Sequence, residues 1–157
     1  MSWEFSLPVK IYFGTDKIQE LPKIIKEYGY KKGVLVCSNT LRKNGVAEEI
    51  IENCDGAIVA VFSDIRPNPT TDNVNECIKV LRENDADFAV ALGGGSPMDC
   101  CKAACAIAKG DDIIESYHTS INIISCWIRS YVRKHIYNTT FTIFDNIVSN
   151  TILFKCV

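Results

Sequence analysis

Asp87-Phe88-Ala89-Val90-Ala91-Leu92-Gly93-Gly94-Gly95-Ser96-Pro97-Met98-Asp99 joins an apolar run to three consecutive glycines and then to the start of a helix. Phe88 to Leu92 has no polar residue, the pattern of a strand covered on both faces. Glycine lacks a Cβ, so the backbone can turn sharply at 93–95 and come close to a ligand. The pattern predicts a helix from Pro97 to Lys109, with Ser96 at the N-cap, Pro97 at the first position and Asp99 reaching back towards the cap. Lys109 and Gly110 mark its end. The first amides of such a helix have no intrahelical acceptor and carry the positive end of its dipole, which suits a phosphate. The residues alone leave a second reading open, in which the glycines serve only close packing. The glycines are consecutive, so the GxGxxG fingerprint is absent, and no Gly-Lys-Ser or Gly-Lys-Thr of a P-loop occurs.

Working outward, the same alternation recurs. Val9 to Phe13 reads as a first strand, and Asp16 to Tyr28 carries Ile18, Leu21, Ile25 and Tyr28 at helical spacing. Pro22 predicts that this helix is interrupted or begins near Leu21, with Gly29 closing it. Gly33 to Cys37 and Ala57 to Phe62 are further apolar strands, separated by a helix from about Val46 to Asn53. Pro67 and Pro69 predict an extended segment from Ser63 to Pro69. Thr70 then opens a helix whose apolar face is Val74, Cys77, Ile78 and Leu81. Apolar strands alternating with amphipathic helices predict an α/β fold, a doubly wound parallel sheet of Rossmann-like type. Ligands bind such sheets beyond the carboxyl ends of the strands, where the glycine run lies.

Composition narrows the function classes. A formal net charge of -2 gives no support to a broad cationic face for nucleic acid. No apolar run approaches the roughly 18 residues of a membrane span. The start, Met1-Ser2-Trp3-Glu4-Phe5, lacks a basic region and an apolar core of a signal, so a cytoplasmic protein is expected. Eight cysteines in a chain of 157 residues without an export signal predict reduced, buried thiols. Cys101 and Cys105 share a helical face with Met98 and Ala108, and no CxxC pair or neighbouring histidine turns them into a metal site.

After about Ser120 the character changes. Residues 1–120 hold 13 basic and 18 acidic residues, whereas 121–157 hold four and one, with no glycine or proline. Ile121 to Trp127 and Asn138 to Phe144 are β-prone, yet the absence of glycine and proline is unusual for a tail that must turn. We therefore expect a dinucleotide-binding α/β domain at 1–120 and a tail of unassigned character at 121–157, read as non-native sequence introduced by a frameshift, truncation or mis-specified gene end.

GGGSPMDCCKA, Gly93 to Ala103, resembles the GGGSxxDxxKA signature of the iron-containing (group III) alcohol dehydrogenases. Pro8 to Gly14 (PVKIYFG), Gly33 to Gly45 (GVLVCSNTLRKNG) and Arg66 to Thr70 (RPNPT) resemble the same family in the same order, over roughly residues 5 to 117. The resemblance implies the amino-terminal, cofactor-binding portion of such an enzyme, with NAD or NADP as cofactor. It implies Gly94, Gly95 and Ser96 as pyrophosphate contacts and Asn68 on the adenosine side; by itself Asn68 reads equally as a turn residue. Asp99 and Lys102 match polar positions of the motif, Asp99 read as a helix cap and Lys102 as a solvated or supporting residue. Ser38 stands where many NAD-preferring members have Asp. A carboxylate there would repel a 2′-phosphate, so its absence leans towards NADP, with Arg42 or Lys43 as partners, while still permitting NAD.

The implied chemistry is reversible hydride transfer between an alcohol or aldehyde carbon and nicotinamide, with Fe(2+) polarising the oxygen. The family holds that metal with one aspartate and three histidines of a helical domain. The chain lacks a counterpart to that domain, and His118 and His135 are its only histidines, read as incidental. No catalytic or metal-binding residue is assigned, and the chain alone is expected to be inactive. Asn138-Thr139-Thr140 is a poor match to the threonine-rich segment that family members place near the nicotinamide. The alternatives are a piece of a glycerol dehydrogenase or dehydroquinate synthase-like enzyme, and a non-catalytic α/β nucleotide-binding or interaction module. The expected partner of a full-length enzyme is a small alcohol or aldehyde, with no nucleic acid and no membrane; homo-oligomerisation stays open.

Overall fold

The computed structural model describes residues 10–13, 15–108, 141–144 and 150–155. Its centre is β2 (Gly33–Cys37), flanked in parallel by β3 (Ile58–Phe62) and β4 (Phe88–Leu92). Every residue of β2 and β4 is buried, as their unbroken apolar sequence predicts. β3 ends the strand order, and Val59 is 46% exposed, so its equally apolar sequence is not covered on both faces.

Side-chain alternation sends the two strands' residues to opposite layers. Val34, Val36, Ala89 and Ala91 pack with α4 (Thr71–Glu83) and α5 (Gly95–Ile107). Leu35, Cys37, Phe88, Val90 and Leu92 pack with α1 (Leu21–Glu27) and α3 (Val46–Asn53). The chain leaves β2 through α2 (Asn39–Lys43) and α3 to reach β3, then returns across the other face through α4 to reach β4. Right-handed connections in opposite directions must use opposite faces, so the sheet is doubly wound and its direction of growth switches between β2 and β4.

Several elements fall where the sequence predicts. The helix over 46–53 has the expected bounds, and Val74, Cys77, Ile78 and Leu81 are all buried on α4. Pro22 occupies the first turn of α1, after a 3-10 turn over Lys17–Glu20, where its missing amide costs nothing. Gly29 follows with φ 70.

The sheet is mixed rather than wholly parallel. β1 (Lys10–Phe13), β5 (Phe141–Phe144) and β6 (Asn150–Lys155) extend it in the order β1-β5-β6-β4-β2-β3, and β6 runs antiparallel to both β4 and β5. β5 falls within the β-prone run Asn138 to Phe144, whereas its place in the sheet and the antiparallel pairing of β6 are not anticipated by the sequence. Val9, Lys109, Gly110, Ile121 to Trp127 and both histidines lie outside the described residues.

Two contacts fix β4 against β2. The Asp87 carboxylate accepts from the amides of Lys31 at 3.0 Å and Lys32 at 3.0 Å, while the Asp87 amide donates to Lys32 O at 2.9 Å. Gly33 lies opposite Phe88, whose ring occupies the space a Cβ at Gly33 would fill; Tyr30 stacks on that ring at 5.3 Å.

Candidate cofactor site

Three strand-to-helix connections converge at the carboxyl ends of β2, β3 and β4. The first is closed by its own side chain: Ser38 is the N-cap of α2, its hydroxyl accepting from Leu41 N at 3.4 Å. This short helix carries no apolar periodicity and is not anticipated by the sequence. In the connection after β3, Thr70 caps α4 as expected, accepting from Asn73 N at 3.5 Å.

The third differs. α5 begins at Gly95, its N-cap is Gly94, and no side chain caps it. This corrects the expected start: Ser96 is not the N-cap, and Asp99, exposed one turn into the helix, does not cap it either. The Ser96 hydroxyl is instead engaged across the sheet, accepting from the amide of Asn68 at 3.3 Å. A tertiary partner has displaced the local one.

The glycines divide their work. Gly93 is buried with φ 125, a conformation side chains rarely adopt, and a Cβ there would stand 3.2 Å from Leu41 Cδ1. It supplies the bend. Gly94 and Gly95 are exposed, and a Cβ on either would meet no atom within 4 Å. The space over the turn is therefore open, as an anion seat requires. The amides of Gly95 and Ser96 precede any intrahelical acceptor, and Pro97 brings none. At the far end of α5, Arg82 donates to the carbonyls of Ala108 at 3.0 Å and Ile107 at 3.2 Å, placing a cation at the negative pole of the dipole.

Asn68 stands exposed beside this turn, with φ 55 immediately before Pro69. The segment is thus not extended throughout as its prolines suggest. What sets its path is Asn73, 3% exposed, which accepts from Arg66 N at 3.3 Å and donates to Asp64 O at 3.2 Å. Sequence reasoning missed Asn73; the available signal was a polar residue beside the apolar face begun by Val74.

Arg42 donates to Ser63 Oγ at 3.1 Å and lies 3.9 Å from Glu48, so this cation is engaged by its neighbours. Lys43 is exposed. Lys102 is half-buried two turns into α5, about 10 Å along the axis from Gly95. The structure thus brings Ser38, Asn68, Gly94, Gly95 and Ser96 to one end of the sheet and leaves Asp99 and Lys102 further down the helix.

The six described cysteines are buried and form no disulfide, as expected. Burial pushes the thiols of Cys37 and Cys54 up to about 11, against a small lowering of Cys37 by Arg42. Among the described residues no three His, Cys, Asp or Glu side chains gather as a ligand set, so these residues do not fit the divalent metal that the resemblance implies. Nor is any helix among them long and apolar enough to cross a membrane.

The family model for iron-containing alcohol dehydrogenases matches residues 8–143, past the change in composition near residue 120. The chain is 34% identical over 117 residues to a probable NADH-dependent butanol dehydrogenase of Bacillus subtilis, covering 71% of this chain and 30% of the relative. It is 30% identical over 115 residues to an NAD-dependent methanol dehydrogenase of Bacillus methanolicus, covering 72% and 30%. Its fold matches the crystal structure of sulfoacetaldehyde reductase from Bifidobacterium kashiwanohense in complex with NAD+, with a TM-score of 0.71, 38% identity, and coverage of 74% of this chain and 31% of that one. The chain therefore spans about 30% of the length of the curated relatives it matches. On the ordered motifs, the fold and these matches, the chain belongs to the iron-containing alcohol dehydrogenase family.

Proposed function

We propose that this chain is the NAD(H)-binding portion of an iron-containing alcohol dehydrogenase, serving reversible hydride transfer between a small alcohol or aldehyde and nicotinamide. The observation that carries the reading is the uncapped start of α5, with open space over Gly94 and Gly95. There the Gly95 and Ser96 amides and the Ser96 hydroxyl receive the pyrophosphate. Asn68 and Ser38 lie on the adenosine side, and Lys102 supports the helix from below the site.

NAD(H) is favoured over NADP(H). Arg42, one of two cations available for a 2′-phosphate, is held by Ser63 and Glu48, and the relatives whose names state a cofactor use NADH or NAD. In a bound complex the cofactor supplies the hydride chemistry; the residues here orient and neutralise its phosphates. Residues 1–120 form the cofactor-binding unit, and β5 and β6 of the tail extend its sheet. The protein works in the cytoplasm on a small-molecule substrate.

Titration of the purified chain with NADH and NADPH tests this, following ligand fluorescence. Saturable binding is expected, tighter for NADH. No binding of either at millimolar concentration removes the reading, and clearly tighter NADPH binding reverses the cofactor preference. Purified alone, the chain is expected to bind cofactor without oxidising alcohols; turnover would contradict this reading.

A further inference from the structure

Ser96 and Asn68 belong to different connections, and a hydrogen bond from a backbone amide to a hydroxyl joins their loops. Its direction matters. Once Ser96 Oγ accepts from Asn68 N, the hydroxyl proton remains available to donate elsewhere, and a lone pair facing the neighbouring loop is already occupied. The hydroxyl is thereby turned into a donor for an anion over Gly94 and Gly95, adding to the two helix amides.

The Asn68 amide can hold that position only if its loop stays put. A non-glycine residue at φ 55 before a proline is a costly conformation that persists when the surroundings over-determine it. The over-determination comes from Asn73. Its side-chain amide holds the loop just before Asn68, accepting from Arg66 N and donating to Asp64 O. Its own amide bonds Thr70 Oγ1, and its carbonyl accepts from the Cys100 thiol of α5 at 3.7 Å. One buried residue thus ties the loop to the helix that carries the glycine turn.

We propose that Asn73 is a positioning residue for the dinucleotide, acting through Asn68 N on the Ser96 hydroxyl. The proposal rests on the cofactor reading above. A plain structural role would loosen the protein without singling out Ser96.

A double-mutant cycle on the 157-residue chain, read as NADH affinity, separates the two. Asn73→Ala and Ser96→Ala should each weaken NADH roughly tenfold, the scale of one hydrogen bond to a charged group. The double variant should bind no more weakly than Ser96→Ala, since the first change acts only through the second residue. Wild-type affinity in Asn73→Ala, or penalties that multiply in the double variant, would overturn the role of Asn73 while leaving the cofactor site standing. Failure of the wild-type chain to bind NADH removes both. Should Asn73→Ala not fold, Asn73→Ser enters the same cycle with the same expectations.

Discussion

The turns after β2 and β4 leave neighbouring strands of one sheet, and each leads within a few residues into a helix. After β2, Ser38 turns its hydroxyl inward and satisfies an amide of its own helix. After β4, Gly94 offers no side chain, and the hydroxyl two residues on is drawn away to another loop. One helix start is closed and the other open. The difference teaches that a binding site can be made by withholding a cap, leaving a ligand to complete what a serine would otherwise complete.

Closing the open turn should do the most damage to binding. Gly94 has φ -79 and free space, so Gly94→Asp is compatible with the backbone and supplies the missing cap. NADH affinity should fall by about a hundredfold, because a carboxylate then occupies the phosphate seat. Stability to urea should rise by a few tenths of a kcal/mol, since a glycine cap is only slightly worse than an acidic one. A loss of stability would show that the turn is not simply an uncapped helix.

Gly93 tests the bend beneath. Gly93→Ala forces a Cβ into φ 125 against Leu41 and should lower the unfolding free energy by about 2 kcal/mol, measured by urea denaturation. Beneath the closed turn, Cys37 immediately precedes Ser38 and is fully buried. Its thiol and that of Cys54 ionise near 11 in the folded chain against 9.0 for an unperturbed thiol. Unfolding therefore releases protons more readily above pH 9: stability is intact below that value and falls as pH rises to 11. The loss is on the order of 2 kcal/mol per thiol. Urea midpoints across this range check it, and Cys54→Ala should make the decline shallower. The smallest effect belongs to the other capped start, where Thr70→Ala should cost about 1 kcal/mol.

The sequence made the layered core legible because each piece was locally redundant. Gly33 to Cys37 and Phe88 to Leu92 are apolar at every position that the sheet buries, and Thr70, Val74, Cys77, Ile78 and Leu81 state a cap and a face together. The glycine turn was legible as a place but not in detail. Ser96-Pro97 has the local form of a cap, and only the Asn68 amide, 28 residues away, decides that the serine serves otherwise. Asn73 was legible only as a polar residue beside an apolar face, since its partners at Asp64 and Arg66 are backbone groups with no side-chain signature. The pairing of β5 and β6 with the sheet likewise rests on backbone ladders.

The most direct test of an open helix start is an amide-resolved proton–nitrogen spectrum of the 15N-labelled chain, recorded with increasing NADH. The account predicts that the Gly95 and Ser96 amides shift first and furthest, saturating together with ligand fluorescence, while the Leu41 amide closed by Ser38 moves little. Saturation of the fluorescence with the Gly95 and Ser96 amides unmoved would contradict it.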